Sequence, residues 1–205
     1  MCKILILLAG FPGTGKTYLS KIIDENLGPY SKISPDDLKE HYFDIYGFQN
    51  LKEKQKLVER AWNKYYEALD YQMHAEKKII TDYPFSKKQQ PFLQRLTEKY
   101  QYKVVTIRLI ADLDILYERQ RKRDLDTSRH LSHVVSSYRI GDRLENRNEA
   151  DGLLTYNEFI ERCTTRGYDL FQMGKLVEVD VTDFSRVNYS ELIKKVGIYL
   201  EEAIH

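Results

Sequence analysis

The chain has 205 residues, and 32 Lys and Arg stand against 31 Asp and Glu, leaving a formal charge of +1. That balance gives no global field for polyanions, so a nucleic-acid partner would need a local basic patch. Cys2 and Cys163 lack metal-ligand spacing, no apolar run reaches membrane-spanning length, and the first run is too short for a signal segment. The expectation is a cytoplasmic protein with free thiols and no membrane partner, formed by one domain over 1–205.

The first element predicted is a strand over Lys3–Leu8, because Ile4 to Leu8 are continuously apolar, as in a strand buried on both faces. Gly10 to Thr17 follow as G-x-x-x-x-G-K-T, and a helix is predicted over Lys16–Leu27. This is the strand–loop–helix context of a phosphate-binding loop. Gly10, Gly13 and Gly15 let the backbone turn its N–H groups inward. Pro12, Thr14 and Tyr18 complete the loop and its exit. Lys16 can bridge the β- and γ-phosphates of a nucleotide, and the Thr17 hydroxyl can ligate Mg²⁺. The pattern calls for ATP and Mg²⁺ as cofactors.

A short strand over Tyr30–Ile33 leads into Ser34-Pro35-Asp36-Asp37-Leu38-Lys39 and a helix over Pro35–Tyr46. Ser34 reads as the N-cap, Pro35 as the first helical residue, and the two acids as complements to the helix dipole. A second reading makes Asp36 a general base for an acceptor hydroxyl, with Lys39 one turn on holding the acceptor's anionic group. Spacing leaves both readings open. A turn at Gly47–Asn50 precedes a long helix over Leu51–Lys77, whose apolar residues recur near i, i+4. Trp62, Tyr65 and Tyr66 read either as core or as pocket lining.

The third strand, Lys78–Thr81, ends in Asp82. An acid there either closes a turn or holds Mg²⁺ beside the loop. A helix over Lys87–Tyr100, a strand over Lys103–Leu109 and a helix over Asp112–Arg123 follow. The last ends in Arg119, Arg121, Lys122 and Arg123, which read as a solvated basic terminus or as a lid carrying arginines to a transferring phosphoryl group. The polar segment Asp124–His133, short of core residues, is expected to move with that lid, about 119–133. Helices are predicted over Ser132–Glu149, Tyr156–Phe171 and Tyr189–Ala203, with a last strand over Lys175–Val181. Thr182–Ser185 is the candidate segment for holding adenine. His130 and His133 lack a third ligand at metal spacing.

In the order GFPGTGKT, SPDDLK, IITD and ERQRKR, the chain resembles the P-loop kinases of the polynucleotide-kinase and zeta-toxin-like group, over roughly Met1 to His133. That resemblance implies a three-layer α/β P-loop NTPase fold with a five-stranded parallel sheet in the order 2-3-1-4-5. It implies acceptor-site helices over about 35–77, Asp36 as base, Lys39 as acceptor contact, and Arg123, assisted by Arg119, at the transferred phosphate. Lys39 departs from the Arg common at that position and lacks its bidentate grip. The implied activity is transfer of the γ-phosphoryl of ATP to a hydroxyl of a small-molecule, nucleotide or nucleic-acid acceptor. A P-loop ATPase and a nucleotide-binding module without turnover are the alternatives.

Overall fold

In the computed structural model, which describes residues 3–202, the apolar run after Lys3 becomes the central strand β1 (Ile4–Gly10), buried at every position. Alternation explains why it needs no polar face. Ile4, Ile6 and Leu8 join one core with Leu19, Ile23 and Val196, whereas Leu5, Leu7 and Ala9 join another with Tyr65, Leu69 and Phe85.

Around β1 lie β2 (Ser31–Lys32), β3 (Ile79–Asp82), β4 (Lys103–Ile110) and β5 (Lys175–Asp180), all parallel, in the order β2-β3-β1-β4-β5. Registers such as Leu8↔Asp82 and Gly10↔Leu109 bring the carboxyl ends of β3, β1 and β4 to one edge. This is the three-layer P-loop fold expected from the motif order.

The helices are α1 (Lys16–Leu27), α2 (Pro35–Tyr46), α3 (Leu51–His74), α4 (Gln90–Tyr100), α5 (Leu113–Leu125), α6 (Tyr156–Thr165) and α7 (Tyr189–Glu202). One face of α1 and α7 packs on the Ile4–Ile6–Leu8 side of the sheet. On the opposite side, α3 buries Tyr65, Leu69 and Met73. Tyr65 is fully buried, its hydroxyl 3.0 Å from Thr81 Oγ1, and Trp62 and Tyr66 pack against the same core, so these three aromatics are packing residues. Cys2 and Ala203 lie outside the described residues.

Several helix ends shift by two or three residues, α4 starting at Gln90 and α3 ending at His74, and two regions differ more. Ser132–Glu149 is not a helix. It forms two single 3-10 turns, Leu131–His133 and Arg147–Glu149, joined by an irregular stretch. Local side chains outcompete the helical ladder there. Asp142 accepts from the Arg139 N–H at 2.7 Å, Asn146 caps Asn148, and Tyr138 pairs both ways with Phe48. Likewise α6 stops at Thr165, because Gly167 adopts φ 67° and redirects the chain. Phe171 then stacks on Phe85 with ring centroids 5.2 Å apart, and both are fully buried. Phe171→Ala should therefore cost about 3–5 kcal/mol of stability, a full-size cavity penalty. Urea unfolding measures it, and a cost below about 1 kcal/mol would place this segment outside the core.

In this structure the segment Asp124–His133 packs against α2. Leu131 joins a core of Phe43, Phe48 and Val134. His133 Nε2 lies 2.5 Å from Glu40 Oε1, and His130 Nε2 lies 3.0 Å from Asp44 Oδ1, tying the segment to α2.

Candidate active site

The loop between β1 and α1 is shaped by steric necessity. A Cβ on Gly10, at φ 111°, would sit 2.0 Å from the Leu109 carbonyl oxygen of the neighbouring strand. Gly15, at φ 80°, caps α1 with no side-chain hydrogen bond, leaving the helix's first N–H groups facing the loop. Thr14 Oγ1 closes the loop by donating to the Phe11 carbonyl at 2.9 Å.

Lys16 is buried and crosses this loop. Its Nζ donates to the Phe11 carbonyl at 2.6 Å, to the Gly10 carbonyl at 3.2 Å and to Thr14 Oγ1 at 3.2 Å. Burial, with help from the Arg123 charge, pulls its ammonium down to about 8 against the opposing pull of Asp82 and Asp36. A bound polyanion would raise that value again. Affinity for a nucleotide should therefore be complete below pH 8 and fall as pH rises past it, by up to about tenfold per unit. Titrations with an ATP analogue at pH 7, 8 and 9 check this, and a flat profile would mean that the Lys16 charge does not hold the anion.

Thr17 is the first α1 residue beyond Lys16, and its Oγ1 donates to Asp82 Oδ2 at 2.6 Å. The pairing follows from the β1–β3 register, which sets Asp82 beside Leu8 at the loop's entrance. A hydroxyl and a carboxylate side by side are oxygen donors suited to Mg²⁺.

At the start of α2, Ser34 Oγ accepts from the Asp37 N–H at 3.3 Å, so the capping reading of this stretch is correct as local structure. Asp36 nevertheless faces the cavity. Removal from bulk water opposes its charge. The Lys39 ammonium, followed by His133 and Arg129, outweighs that and holds the carboxyl well below the usual range.

Lys39 also lines the cavity, and it is largely buried, with Nζ 2.9 Å from Asp36 Oδ1 and 2.9 Å from the Tyr83 hydroxyl. The ammonium also sits 4.2 Å from the Tyr83 ring centroid and 5.5 Å from that of Trp62. In this structure its charge is paired with Asp36.

The Arg119 guanidinium donates to the Val181 carbonyl at 2.7 Å and the Thr182 carbonyl at 2.8 Å, and lies 3.9 Å from the Phe184 ring centroid. These contacts hold it against the segment past β5, at the wall of the cavity. Phe184 in turn abuts the phosphate loop, within 3.3 Å of where a Gly15 Cβ would stand. Arg123 donates to Gln120 Oε1 at 2.6 Å and faces the cavity.

One cavity of about 750 Å³ is lined by Pro12, Gly13, Gly15, Lys16, Thr17, Asp36, Lys39, Asp82, Arg119 and Arg123. Gly10, Thr14 and Tyr18 are outside its wall. Gly10 and Thr14 shape the loop, whereas Tyr18 is exposed and packs edge-on to Tyr189 at 5.7 Å. The cavity also gathers residues that the motif order did not single out: His133, Lys54, Arg162 and Arg166. A signal for the last two was present, since Arg162 and Arg166 are spaced i, i+4 within the predicted helix Tyr156–Phe171.

Among known proteins, residues 5–139 match the model of the AAA domain family. No curated protein matches the chain. A candidate kinase from Chloroflexus aurantiacus j-10-fl superposes with TM-score 0.73 at 22% identity over 99% of each chain. The tunicamycin resistance protein of Deinococcus radiodurans gives 0.57 at 13% identity, over 97% of this chain and 96% of its own. Shikimate kinase from Bacteroides thetaiotaomicron gives 0.51 at 16% identity, over 97% of this chain and 98% of its own. At these identities the likeness is one of fold.

Proposed function

The chain belongs to the AAA domain family, and from that premise we propose that it is an ATP-dependent kinase that phosphorylates an acceptor hydroxyl. The observation that carries this reading is the sharing of one cavity by the phosphate loop and Asp36. A binding module without turnover needs no oriented carboxylate facing its phosphate loop, and the room around Asp36 suits an acceptor larger than water.

The residues divide the work by their contacts. The loop amides and Lys16 hold the β- and γ-phosphates. Phe184 and the Arg119 guanidinium, already stacked on each other, offer a flat wall for adenine beside Thr182–Ser185. Thr17 and Asp82 are the oxygen pair that would hold Mg²⁺, which when bound neutralises charge on the phosphates. Asp36, fixed by Lys39, accepts the hydrogen bond of the acceptor hydroxyl and aligns its oxygen with the γ-phosphorus. Arg123 faces the same space and offsets charge on the phosphoryl group in transit. Residues 119–133 would form the lid, and the α2–α3 side the acceptor wall.

The test is labelled ATP with Mg²⁺ and a panel of nucleosides, oligonucleotides and small alcohols, following ADP and labelled product together. Acceptor-dependent ADP with label on the acceptor is expected. ADP and free phosphate at the same rate with every addition would favour an ATPase, and nucleotide binding without consumption would favour a binding module.

A further inference from the structure

The acceptor side of the cavity carries basic side chains that the nucleotide machinery does not use. Lys16, Arg119 and Arg123 belong to the nucleotide side, Lys39 is paired with Asp36, and Arg129 lies within 3.9 Å of both Glu40 and Asp124. That leaves Lys54 on α3 and Arg162 and Arg166 at the end of α6. Arg162 makes no salt bridge or hydrogen bond through its side chain to any described residue. Arg166, one turn on, has only a 3.4 Å hydrogen bond to the buried Tyr168 hydroxyl.

Lys54 approaches from α3, donating to the Val135 carbonyl at 3.0 Å. Its ammonium is attracted by the Asp151 carboxylate and repelled, less strongly, by the Arg162 guanidinium. The hydrogen bonds of the neighbouring acids go to neutral donors: Asp151 accepts from the Ser136 N–H and hydroxyl, and Glu158 from the Thr155 N–H and hydroxyl. The donors of Arg162 and most of those of Arg166 are therefore left to face the concave wall, which suits an anion. Arg166, Tyr83 and Tyr168 also border a second cavity of about 520 Å³, so the acceptor side has room beyond the reacting hydroxyl.

We propose that the acceptor is itself an anion, a hydroxyl compound bearing a phosphate or carboxylate that Lys54, Arg162 and Arg166 grip while Asp36 aligns its hydroxyl. This rests on the kinase reading and deepens it. Because Lys39 is committed to Asp36, the grip that the motif order assigns to α2 passes to α3 and α6.

The test loads the full chain with Mg²⁺ and a non-hydrolysable ATP analogue, then titrates inorganic phosphate and, separately, acetate by calorimetry. One-site binding of either anion is expected, and the two arms tell a phosphate bearer from a carboxylate bearer. Arg162→Gln and Arg166→Gln should each weaken it by at least about tenfold, the worth of one charge-assisted hydrogen bond, with analogue affinity unchanged. Arg166 is exposed, so its variant keeps the fold even if Arg162→Gln does not. Analogue binding without binding of either anion would overturn the inference alone. So would a fall in analogue affinity that matches the fall in anion affinity, since the arginines would then belong to the ATP site. Failure of the wild type to bind the analogue at all would overturn the kinase reading and the inference with it.

Discussion

Lys16→Met should lower the rate of ATP turnover by about 10²- to 10³-fold, the loss typical of removing one preorganised donor from a developing charge. The Lys16 Nζ is held by three oxygens of the loop itself, so it is already aimed at the place where phosphate oxygens would lie. Met has similar length and reaches the same point without charge. The free protein should lose no stability, because a buried ammonium whose proton affinity has dropped to about 8 is a cost to the fold. Turnover assays and thermal melts of the same preparation check this together. A lower melting point that accounts for the lost activity would make Lys16 a structural residue and remove the main support for phosphate chemistry.

Asp36→Asn should reduce phosphoryl transfer by about 10²- to 10⁴-fold while leaving nucleotide affinity within about threefold of the wild type. Asn keeps an oxygen that can accept from Lys39, so the start of α2 should survive. What it loses is the anionic acceptor for the substrate hydroxyl. Because Lys39, His133 and Arg129 hold the Asp36 carboxyl far down, it is ionised throughout the ordinary working range. It is therefore a weak proton acceptor. On the kinase reading its contribution would be alignment in a loose transition state, in which the hydroxyl proton moves late. The acid limb of the wild-type rate profile should accordingly not come from Asp36. Wild-type transfer in Asp36→Asn, measured with labelled ATP and an accepted alcohol, would end its role.

Most of the fold was legible from the sequence because its signals are local or periodic. Ile4 to Leu8 announce a strand buried on both faces, and both cores use them alternately. Ser34-Pro35 announces a helix start and gives one. The failures lie where local chemistry and distant packing compete. Ser132–Glu149 has enough helix formers to suggest a helix, yet Asp142, Asn146 and the pairing of Tyr138 with Phe48 take its backbone groups. The segment before it looked poor in core residues, but Leu131 sits beside Phe43 and Phe48 while His130 and His133 pair with Asp44 and Glu40.

The candidate site divides along the same line. By itself the sequence determined the phosphate loop, its strand and helix, and the short list containing Lys16, Thr17, Asp36 and Asp82, because backbone turns and helix caps depend on residues a few positions apart. Only the tertiary structure decided what each long charged side chain does. Arg119 could have turned either way until the carbonyls of Val181 and Thr182, more than sixty residues on, came within reach. Lys39 gained its second partner only when the sheet order brought the Tyr83 hydroxyl within 2.9 Å of its ammonium. Ion pairs and hydrogen bonds are chosen by distance in space, and those distances exist only once the five strands have taken their places.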